Sequence, residues 1–302
     1  MATAEFDARY IQEHQLGEGG FGSVFAGYRK ADNLPVAIKH IPKNKIFWEN
    51  KAEDRKCLSV EVAIMLELQD GKTGQLLNST SVSLLDWYNL QEEQILVLER
   101  PIPAQDLLQF IDVNGGCVKE GVAKIILKQL VAGALAFEDK NIFHRDIKVE
   151  NVLIETGSDV PRVWLIDFGL SCFVPEDSFK VFYGTVAHAP PEWYSCCSYS
   201  AGPTTVWQLG VLLYESLHRK QFETQEFIRH KLKISKRLSK SKMGTEWYIR
   251  FTCGTGSATV AFNTIQPTVL RGKLQGVRVD HLLSTWIVNY LTNRPQYVGL
   301  RV

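Results

Sequence analysis

The chain contains His144-Arg145-Asp146-Ile147-Lys148-Val149-Glu150-Asn151 near its midpoint and, after a predicted strand, Asp167-Phe168-Gly169. The two motifs fit the pattern HRDxxxxN followed by DFG, which sets an acid, an amide and a second acid at fixed spacing. A polar loop of capping and turn residues is the alternative interpretation, but it does not explain why both motifs occur in this order. We therefore interpret the pair as one functional unit, and the flanking sequence should supply the rest of its site.

Four side chains of these motifs suit the chemistry of phosphoryl transfer. The spacing allows Asp146 to orient a substrate hydroxyl and to accept its proton. Asn151 and Asp167 offer oxygen ligands for a magnesium ion that bridges phosphate oxygens. Lys148 can neutralise charge on the transferred group.

A glycine-rich segment near the N-terminus is the candidate phosphate-binding loop, Gly17-Glu18-Gly19-Gly20-Phe21-Gly22-Ser23-Val24. It fits GxGxxGxV, in which glycines allow the backbone to approach phosphates closely and the valine covers the base. A glycine-rich hairpin or a dinucleotide-binding turn would match the glycines equally well. A dinucleotide fold needs a helix directly after the loop, whereas Val24-Phe25-Ala26 favours a strand.

Two charged residues follow the loop in the order that a nucleotide site requires. Lys39 ends the apolar strand Val36-Ala37-Ile38-Lys39, where it can hold the α- and β-phosphates if a carboxylate fixes its ammonium group. Glu61, on a helix predicted over Val60 to Leu68, is the candidate partner. Taken singly, both residues are equally typical of a protein surface.

Hydrophobic periodicity divides the sequence into a strand-rich part and a helical part. Short apolar strands are predicted from residue 10 to residue 98, interrupted only by the helix that carries Glu61. Two more short strands bracket the central motifs, near Val152 to Ile154 and Val163 to Ile166. Helices are predicted over Asp106 to Ile111, Val122 to Phe137, Thr205 to Leu217 and Glu223 to Leu232.

Two further motifs, Gly184-Thr185 and Ala189-Pro190-Pro191-Glu192, complete a set that has a familiar counterpart. From about Tyr10 to Lys240 the chain resembles a eukaryotic protein kinase, and within that group it is similar to the Pim family. The segment Glu99-Arg100-Pro101-Ile102-Pro103 resembles the hinge of that family, in which a proline removes a backbone N–H from the adenine site. Other similar segments are Gln105-Asp106-Leu107-Leu108, Pro190-Pro191-Glu192-Trp193 and Val206-Trp207-Gln208-Leu209-Gly210, with Thr205 where most kinases have a buried aspartate.

The resemblance implies an α+β, bilobal protein kinase fold, with a β-rich N-lobe over 10–98 and a mainly helical C-lobe over 99–240. It also implies ATP and Mg²⁺ as cofactors, and transfer of the γ-phosphate to serine or threonine in protein substrates. The adenine ring is expected to contact the Glu99 carbonyl, with Leu98 guarding the pocket behind it. The apolar residues expected on the two faces of the ring are Leu16, Val24, Ala37 and Leu153.

Substrate selection and regulation are also expected to follow the family. Thr185 belongs to the peptide-positioning segment, and Asp106 with Glu150 would select arginine or lysine upstream of the acceptor. Two solvated acids are the alternative interpretation of that pair. The segment Leu170 to Tyr183 has no basic cluster around a single phosphorylation site, so we expect activity without phosphorylation of this segment.

Composition limits the ligands and the compartment. The formal net charge is +1, but residues 239–302 carry eight Lys/Arg and two Asp/Glu, so the preceding part is acidic. An acidic body argues against nucleic acid as the main ligand and suits basic protein substrates. No apolar stretch reaches the roughly 20 residues of a membrane span, and the six cysteines lack CxxC spacing. We expect a monomer in the cytoplasm or nucleus.

The ends of the chain depart from the family pattern. Residues 1–9 are expected to form a short leader, and residues 241–302 match no part of a kinase that we can identify. The two final helices and an arginine–proline segment would then be missing or replaced, although Leu282 to Leu291 carry one helical stripe. A pseudokinase scaffold or a poorly folded truncated kinase is therefore the alternative to an active enzyme. A further hypothesis is that the basic tail recruits an acidic partner or nucleus-bound cargo through Lys231 to Lys242, and a solvated helix face is the alternative interpretation of that segment.

Overall fold

The computed structural model describes residues 2–48, 58–70, 80–158, 160–229 and 231–232. Residues 1–110 with 132–174 form one compact unit, and residues 111–131 with those from 175 onward form a second. The predictions for Cys57, Cys253 and the 241–302 segment, including its helical stripe, lie outside the described residues.

The first unit is built on a five-stranded antiparallel sheet with the order β1-β2-β3-β5-β4. Its strands are β1 (Tyr10–Gly19), β2 (Gly22–Arg29), β3 (Leu34–Pro42), β4 (Leu84–Asn89) and β5 (Glu93–Glu99). Two helices accompany it, α1 (Ala2–Arg9) and α2 (Val60–Gln69). The strand-rich part is confirmed, and among the described residues of the range 10–98 the α-helix α2 is the predicted one.

Alternation along β3 assigns one face of the sheet to the core and the other to the functional side chains. Val36 and Ile38 are fully buried in an aromatic and aliphatic cluster, whereas Ala37 and Lys39 point to the opposite face because successive strand residues alternate. The segment predicted as a short leader, residues 1–9, contains the helix α1, whose Phe6 enters that cluster. The other members of the cluster are Tyr10, Tyr88, Ile95 and Val97.

Two small sheets complete the first unit and hold the central motifs. One has three strands in the order β6 (Ala104–Asp106), β8 (Val152–Glu155) and β9 (Arg162–Leu165). The other pairs β7 (Ile142–Phe143) with β10 (Cys172–Phe173). The first motif lies between β7 and β8, and the second lies between β9 and β10. Both loops are therefore tied down at both ends by strand pairing.

Outside these sheets, the described residues are mainly helical, as predicted. The helices are α3 (Leu107–Val113), α4 (Glu120–Glu138), α5 (Pro191–Cys196), α6 (Ala201–Leu217) and α7 (Thr224–Ile228). Most of the second half of α6 is buried, including Leu209, Leu212 and Tyr214. This is the burial that its nearly continuous apolar sequence predicts.

One helix is shorter than its sequence pattern suggests. The prediction extended it from Glu223 to Leu232, but α7 ends at Ile228. The next residue, Arg229, has φ −81° and ψ 8°, a conformation between helix and turn, and this stops the helical repeat.

Among the described helices, none is both long and apolar enough to cross a membrane.

Candidate active site

The glycine-rich segment is the hairpin that joins β1 to β2, and Gly19 pairs with Gly22 across it. At Gly22, φ is +152° and an added Cβ would lie 1.9 Å from the carbonyl oxygen of His40, so the fold itself requires glycine there. In the described part of the chain, no atom outside the glycine and its two chain neighbours lies within 4 Å of a Cβ added at Gly17, Gly19 or Gly20. Packing does not explain those three glycines, whereas the close approach of a ligand to the backbone does.

Lys39 is the centre of a buried charge network within the first unit. Its Nζ lies 2.8 Å from Oε1 of Glu61 and 2.7 Å from Oδ1 of Asp167. Lys39 is 5% exposed and Glu61 7% exposed, so water screens their interaction very little. The structure thus brings together three predicted site residues that are up to 128 positions apart in sequence.

The charges of the other members shift the pKa of each residue in this network. Burial lowers the pKa of Lys39, but the negative charges of Glu61 and Asp167 outweigh burial and the net shift is upward. Burial raises the pKa of Glu61, and Lys39 offsets only part of that rise. Burial also opposes ionisation of Asp167, yet the ion pair and hydrogen bond with Lys39 give it a lowered pKa. The ammonium group therefore keeps Asp167 charged, as a metal ligand must be.

The helix α2 presents Glu61 to Lys39 from its first turn. Ser59 precedes the helix and accepts a hydrogen bond from the Val62 N–H at 3.4 Å, which satisfies one unpaired donor of the helix start. Val62, Ile64 and Met65 are buried, so α2 is held by its apolar side chains. Glu61 itself lies close enough to the Phe168 backbone to accept its N–H.

The first motif forms a closed hydrogen-bonded loop around Asp146. The Asn151 Nδ2 donates to the Asp146 carbonyl at 2.8 Å and to its carboxylate Oδ2 at 3.2 Å. The Lys148 Nζ lies 3.2 Å from the same Oδ2. The loop ends in a 3₁₀ turn, Val149–Asn151, whose last residue also accepts the backbone N–H of Ile166 through its carbonyl. The candidate base is therefore held by an amide and a cation before any substrate arrives.

Two residues of the site adopt backbone conformations that are unfavourable for residues other than glycine. Arg145 has φ +70° and Asp167 has φ +64°, both in the left-handed region. Such conformations persist only where surrounding contacts enforce them, and they are concentrated at functional sites. One such contact is the hydrogen bond that the Gly169 N–H donates to the Asp167 carboxylate at 3.3 Å. Arg145 directly precedes the candidate base Asp146, and Asp167 is itself a candidate metal ligand, so both unusual conformations lie at the site.

Phe168 and His144 connect the two motifs beneath the charged groups. Phe168 is 1% exposed, and its ring centroid lies 5.8 Å from that of Phe137 and 5.1 Å from that of His144. The His144 Nε2 lies 3.2 Å from the carbonyl of Ile166, and its carbonyl accepts the Ser171 hydroxyl at the same distance. Burial lowers the pKa of His144, which favours the neutral ring. No role was predicted for His144, although its position at the start of the first motif was a usable signal.

The residues predicted to hold the adenine lie on strands of the first unit. Leu16 is on β1, Val24 on β2 opposite Lys39, and Ala37 on β3 opposite Leu98. Leu16 is 45% exposed, unlike the buried Leu98. Leu153 is on β8, and β5 ends at Glu99, whose carboxylate accepts the Ser83 N–H at 3.2 Å. The hinge then lacks a donor at Pro101 because proline has no N–H.

The predicted substrate-binding residues have mixed positions. Asp106 accepts the Gln109 N–H at 2.7 Å and so caps α3, which leaves it only partly available to a peptide. Glu150 is exposed on the 3₁₀ turn of the first motif. Thr185 belongs to the second unit, directly before the 3₁₀ turn Val186–His188. Thr205, in the position of the usual aspartate, donates to the Ala201 carbonyl at 2.9 Å.

Comparison with known proteins agrees with this geometry. The family described as the protein kinase domain matches residues 10–254. The chain is 36% identical over 212 residues to the serine/threonine-protein kinase pim-2 of Danio rerio, covering 70% of this chain and 67% of that protein. It is 31% identical to the serine/threonine-protein kinase prk-2 of Caenorhabditis elegans, covering 71% of this chain and 46% of that protein. A PAS domain-containing serine/threonine-protein kinase of Mus musculus is 32% identical over 213 residues, which are 70% of this chain but only 14% of that protein.

Proposed function

This chain belongs to the protein kinase family, and we propose that it transfers the γ-phosphate of ATP to serine or threonine hydroxyls of proteins. The observation that carries the proposal is the buried network of Lys39 with Glu61 and Asp167. A buried ion pair is costly to assemble and is a poor means of stabilising a fold. Its presence beside an open glycine hairpin is explained if Lys39 is held ready for phosphate oxygens.

The donors near this network suit a magnesium ion. Asp167 supplies a carboxylate and Asn151 an amide, both of which are oxygen ligands of the kind that Mg²⁺ prefers. Mg²⁺ commonly takes only one or two protein ligands, so this small donor set is sufficient. When bound, the ion neutralises charge on the phosphate oxygens. Asp167 has the additional advantage that Lys39 lowers its pKa and keeps it ionised.

The catalytic loop supplies the groups that act on the acceptor. Asp146 is held by Asn151 and Lys148, so its carboxylate has a fixed orientation toward an incoming hydroxyl. In that position it can accept the hydroxyl proton while the oxygen attacks phosphorus. Lys148 then places a positive charge beside the reacting groups, where charge on the transferred phosphoryl group needs to be neutralised. These steps require positioning and electrostatics and no covalent enzyme intermediate.

A catalytic rather than a purely scaffolding role is supported by the completeness of the site. Lys39, Asp146, Asn151 and Asp167 are all present, and each has a hydrogen-bond or ionic contact within the first unit. A scaffold would not need this set of charges, which costs folding free energy unless it is compensated.

Finer features of the function are also part of the proposal. We propose a Pim-like preference for basic residues upstream of the acceptor, supported by the exposed carboxylate of Glu150. Asp106 would contribute less, because one of its oxygens already caps α3. Activity without phosphorylation of residues 170–183, a monomeric state and a cytoplasmic or nuclear location complete the proposal. The resemblance to the Pim family supports these features.

The direct test is phosphoryl transfer by the complete 302-residue chain. The chain is treated with a phosphatase, which is then removed, and is assayed with Mg-ATP and a serine peptide that has arginines upstream. We expect transfer to this peptide, a loss of at least about 100-fold in Asp167→Asn, and weaker transfer when the arginines are replaced by alanine. Equal signals from the parent chain and Asp167→Asn, both assayed without phosphatase treatment, would contradict the kinase proposal. Loss of activity on phosphatase treatment alone would contradict only the proposed independence from phosphorylation.

A further inference from the structure

A single lysine outside the kinase motifs binds the far end of the helix that carries Glu61. Lys140 lies in the turn between α4 and β7, and its Nζ lies 2.6 Å from the Glu67 carbonyl oxygen and 2.9 Å from that of Asp70. The same Nζ lies 3.2 Å from the Glu67 carboxylate. Three acceptors from the end of α2 thus converge on one ammonium group.

The chemistry of a helix end explains why these contacts are favourable. The last four carbonyl groups of a helix lack partners within the helix, and its dipole places partial negative charge there. In α2, the backbone N–H of Asp70 satisfies only the Leu66 carbonyl. A cation that binds the following carbonyls both fills their hydrogen-bonding capacity and interacts favourably with the dipole. Lys140 is therefore a C-terminal cap supplied by a distant part of the chain.

The position of this cap connects it to the charge network. Glu61 lies in the first turn of α2 and Glu67 lies in its last, about 9 Å along the axis at about 1.5 Å per residue. The buried apolar side chains of this short helix hold it in place, and polar contacts at its two ends further restrict its orientation. At the first end the contact is Lys39 with Glu61. At the second end the contacts are Lys140 and the hydrogen bond from Gln69 Nε2 to the Leu84 carbonyl at 2.8 Å.

The backbone of Lys140 leads directly into the catalytic loop. The turn that carries it is closed by backbone hydrogen bonds from Lys140 to Phe137 and from Asn141 to Glu138. Asn141 has φ +53°, and its carbonyl accepts the Val174 N–H, which follows β10. β7 begins one residue later and pairs with β10, so this turn is joined to the segments on either side of both motifs. Lys140 thus links the helix of Glu61 to the frame that holds Asp146 and Asp167.

We propose that Lys140 is a positioning residue that keeps Glu61 within reach of Lys39 by fixing the C-terminal end of α2. The proposal rests on the proposed function, because it assigns Lys140 a part in holding the lysine that would contact phosphate oxygens. Lys140 itself touches no reacting group. Its removal should therefore weaken interactions with phosphate selectively and leave interactions with the nucleoside unchanged.

The test compares ATP with adenosine, measured by calorimetric titration of the full chain. Lys140→Met should lower the affinity for ATP about threefold to tenfold and leave that for adenosine unchanged, because only the phosphates would contact Lys39. Lys140→Arg, which keeps the cation, should restore most of the ATP affinity. Glu67→Ala should have little effect, because the backbone carbonyls remain. As a matched control, Lys124→Met removes a lysine of an exposed ion pair on α4 and should change neither affinity.

A double-mutant cycle distinguishes positioning from general stabilisation. In a Glu61→Gln background the ion pair with Lys39 is already weakened, so Lys140→Met should then lower ATP affinity by less than about twofold. A purely structural lysine would give equal effects in both backgrounds, or would weaken ATP and adenosine alike, and either outcome would overturn the inference. The binding readout needs no phosphoryl transfer. A parent chain that binds ATP more tightly than adenosine but fails the peptide assay would contradict the proposed function while still deciding the role of Lys140.

Discussion

Replacing Lys39 with methionine removes the cation that contacts both Glu61 and Asp167. Glu61 is 7% exposed and would be left as a buried carboxylate without its ion-pair partner. The resulting cost is bounded, because the group can take up a proton instead of remaining charged. At about 1.36 kcal/mol for each pH unit above its ordinary pKa of 4.5, the ceiling is about 4 kcal/mol at pH 7.5 and about 1.4 kcal/mol at pH 5.5.

The sign of the pH dependence follows from both acids. The pKa of Glu61 is already raised by burial and should rise further without Lys39, so folding is penalised at pH values above the ordinary pKa of this residue. The pKa of Asp167 is lowered by Lys39, so the parent chain gains stability above pH 3.8 that the variant should lose. The Glu61 penalty disappears as the pH falls toward the ordinary pKa of this residue. The Asp167 contribution persists down to about its ordinary pKa of 3.8 and is lost only as the pH falls further, through its lowered pKa. Since its side chain is 37% exposed, Asp167 should contribute less than Glu61.

We therefore expect Lys39→Met to lower the free energy of unfolding by about 2–3 kcal/mol at pH 7.5 and by less than about 1 kcal/mol at pH 5.5. Urea denaturation followed by tryptophan fluorescence would measure both values. The double variant Lys39→Met, Glu61→Gln has no ionisable group at position 61 and should recover most of the loss, with no recovery of kinase activity. Lys220→Met, which removes an exposed ion pair with a 2.6 Å N–O distance, is the matched control and should not change stability measurably.

Two outcomes would refute this reasoning. If Lys39→Met lost the same stability at both pH values, the loss would come from packing rather than from an unpaired buried carboxylate. If the double variant were no more stable than the single variant at pH 7.5, the penalty could not be assigned to Glu61. Either result would remove the basis for regarding the network as a costly arrangement that is retained for phosphate binding.

Two further predictions concern positions where the structure distinguishes residues of one type. Gly22→Ala should destabilise the chain by at least about 2 kcal/mol in urea denaturation, because its Cβ would overlap the His40 carbonyl and its φ disfavours a side chain. Gly20→Ala should retain stability and instead weaken ATP binding. Equal stability of the two variants would contradict this prediction. Phe168→Ala should cost about 3–5 kcal/mol because the ring is buried between Phe137 and His144, and a loss below about 1 kcal/mol would show that the packing is not tight.

The sequence predicted the elements of the fold wherever the pattern is local. The helix that carries Glu61 and the strands of the sheet follow from periodicity over ten residues or fewer, and their positions agree to within a few residues. The end of α7 did not follow, because the sequence continues a helical pattern beyond Ile228 while the backbone turns at Arg229. Helix ends depend on capping contacts that a hydrophobic pattern does not encode.

The sequence predicted which residues form the site but not the contacts and backbone conformations that hold them there. Spacing within the motifs and their order along the chain indicated Lys39, Glu61 and Asp167, but no local feature encodes contacts between residues 128 positions apart. The left-handed backbone at Arg145 was equally hidden, because arginine has no preference for it. Aspartate enters this region more often than most residues, but its type alone does not assign the conformation to Asp167. Lys140 had no sequence signal at all, because its partners are backbone carbonyls, which any sequence at the end of α2 would provide.

These contacts together indicate how the site tolerates so many charges in a small volume. The three acids of the site each have an ionic contact with a lysine. Lys39 contacts Glu61 and Asp167, and Lys148 contacts Asp146. Lys39 is shared between two acids, so phosphate oxygens that attract its ammonium group would compete with Asp167 for it. The Asp167 carboxylate would then be more available to a magnesium ion, which is a stronger local charge than an ammonium group. Nucleotide binding should draw Lys39 away from Asp167, and a magnesium ion would then replace Lys39 as the cation beside Asp167. Conversely, a magnesium ion on Asp167 would leave Lys39 available for phosphate oxygens. Binding of nucleotide and binding of metal should therefore favour each other.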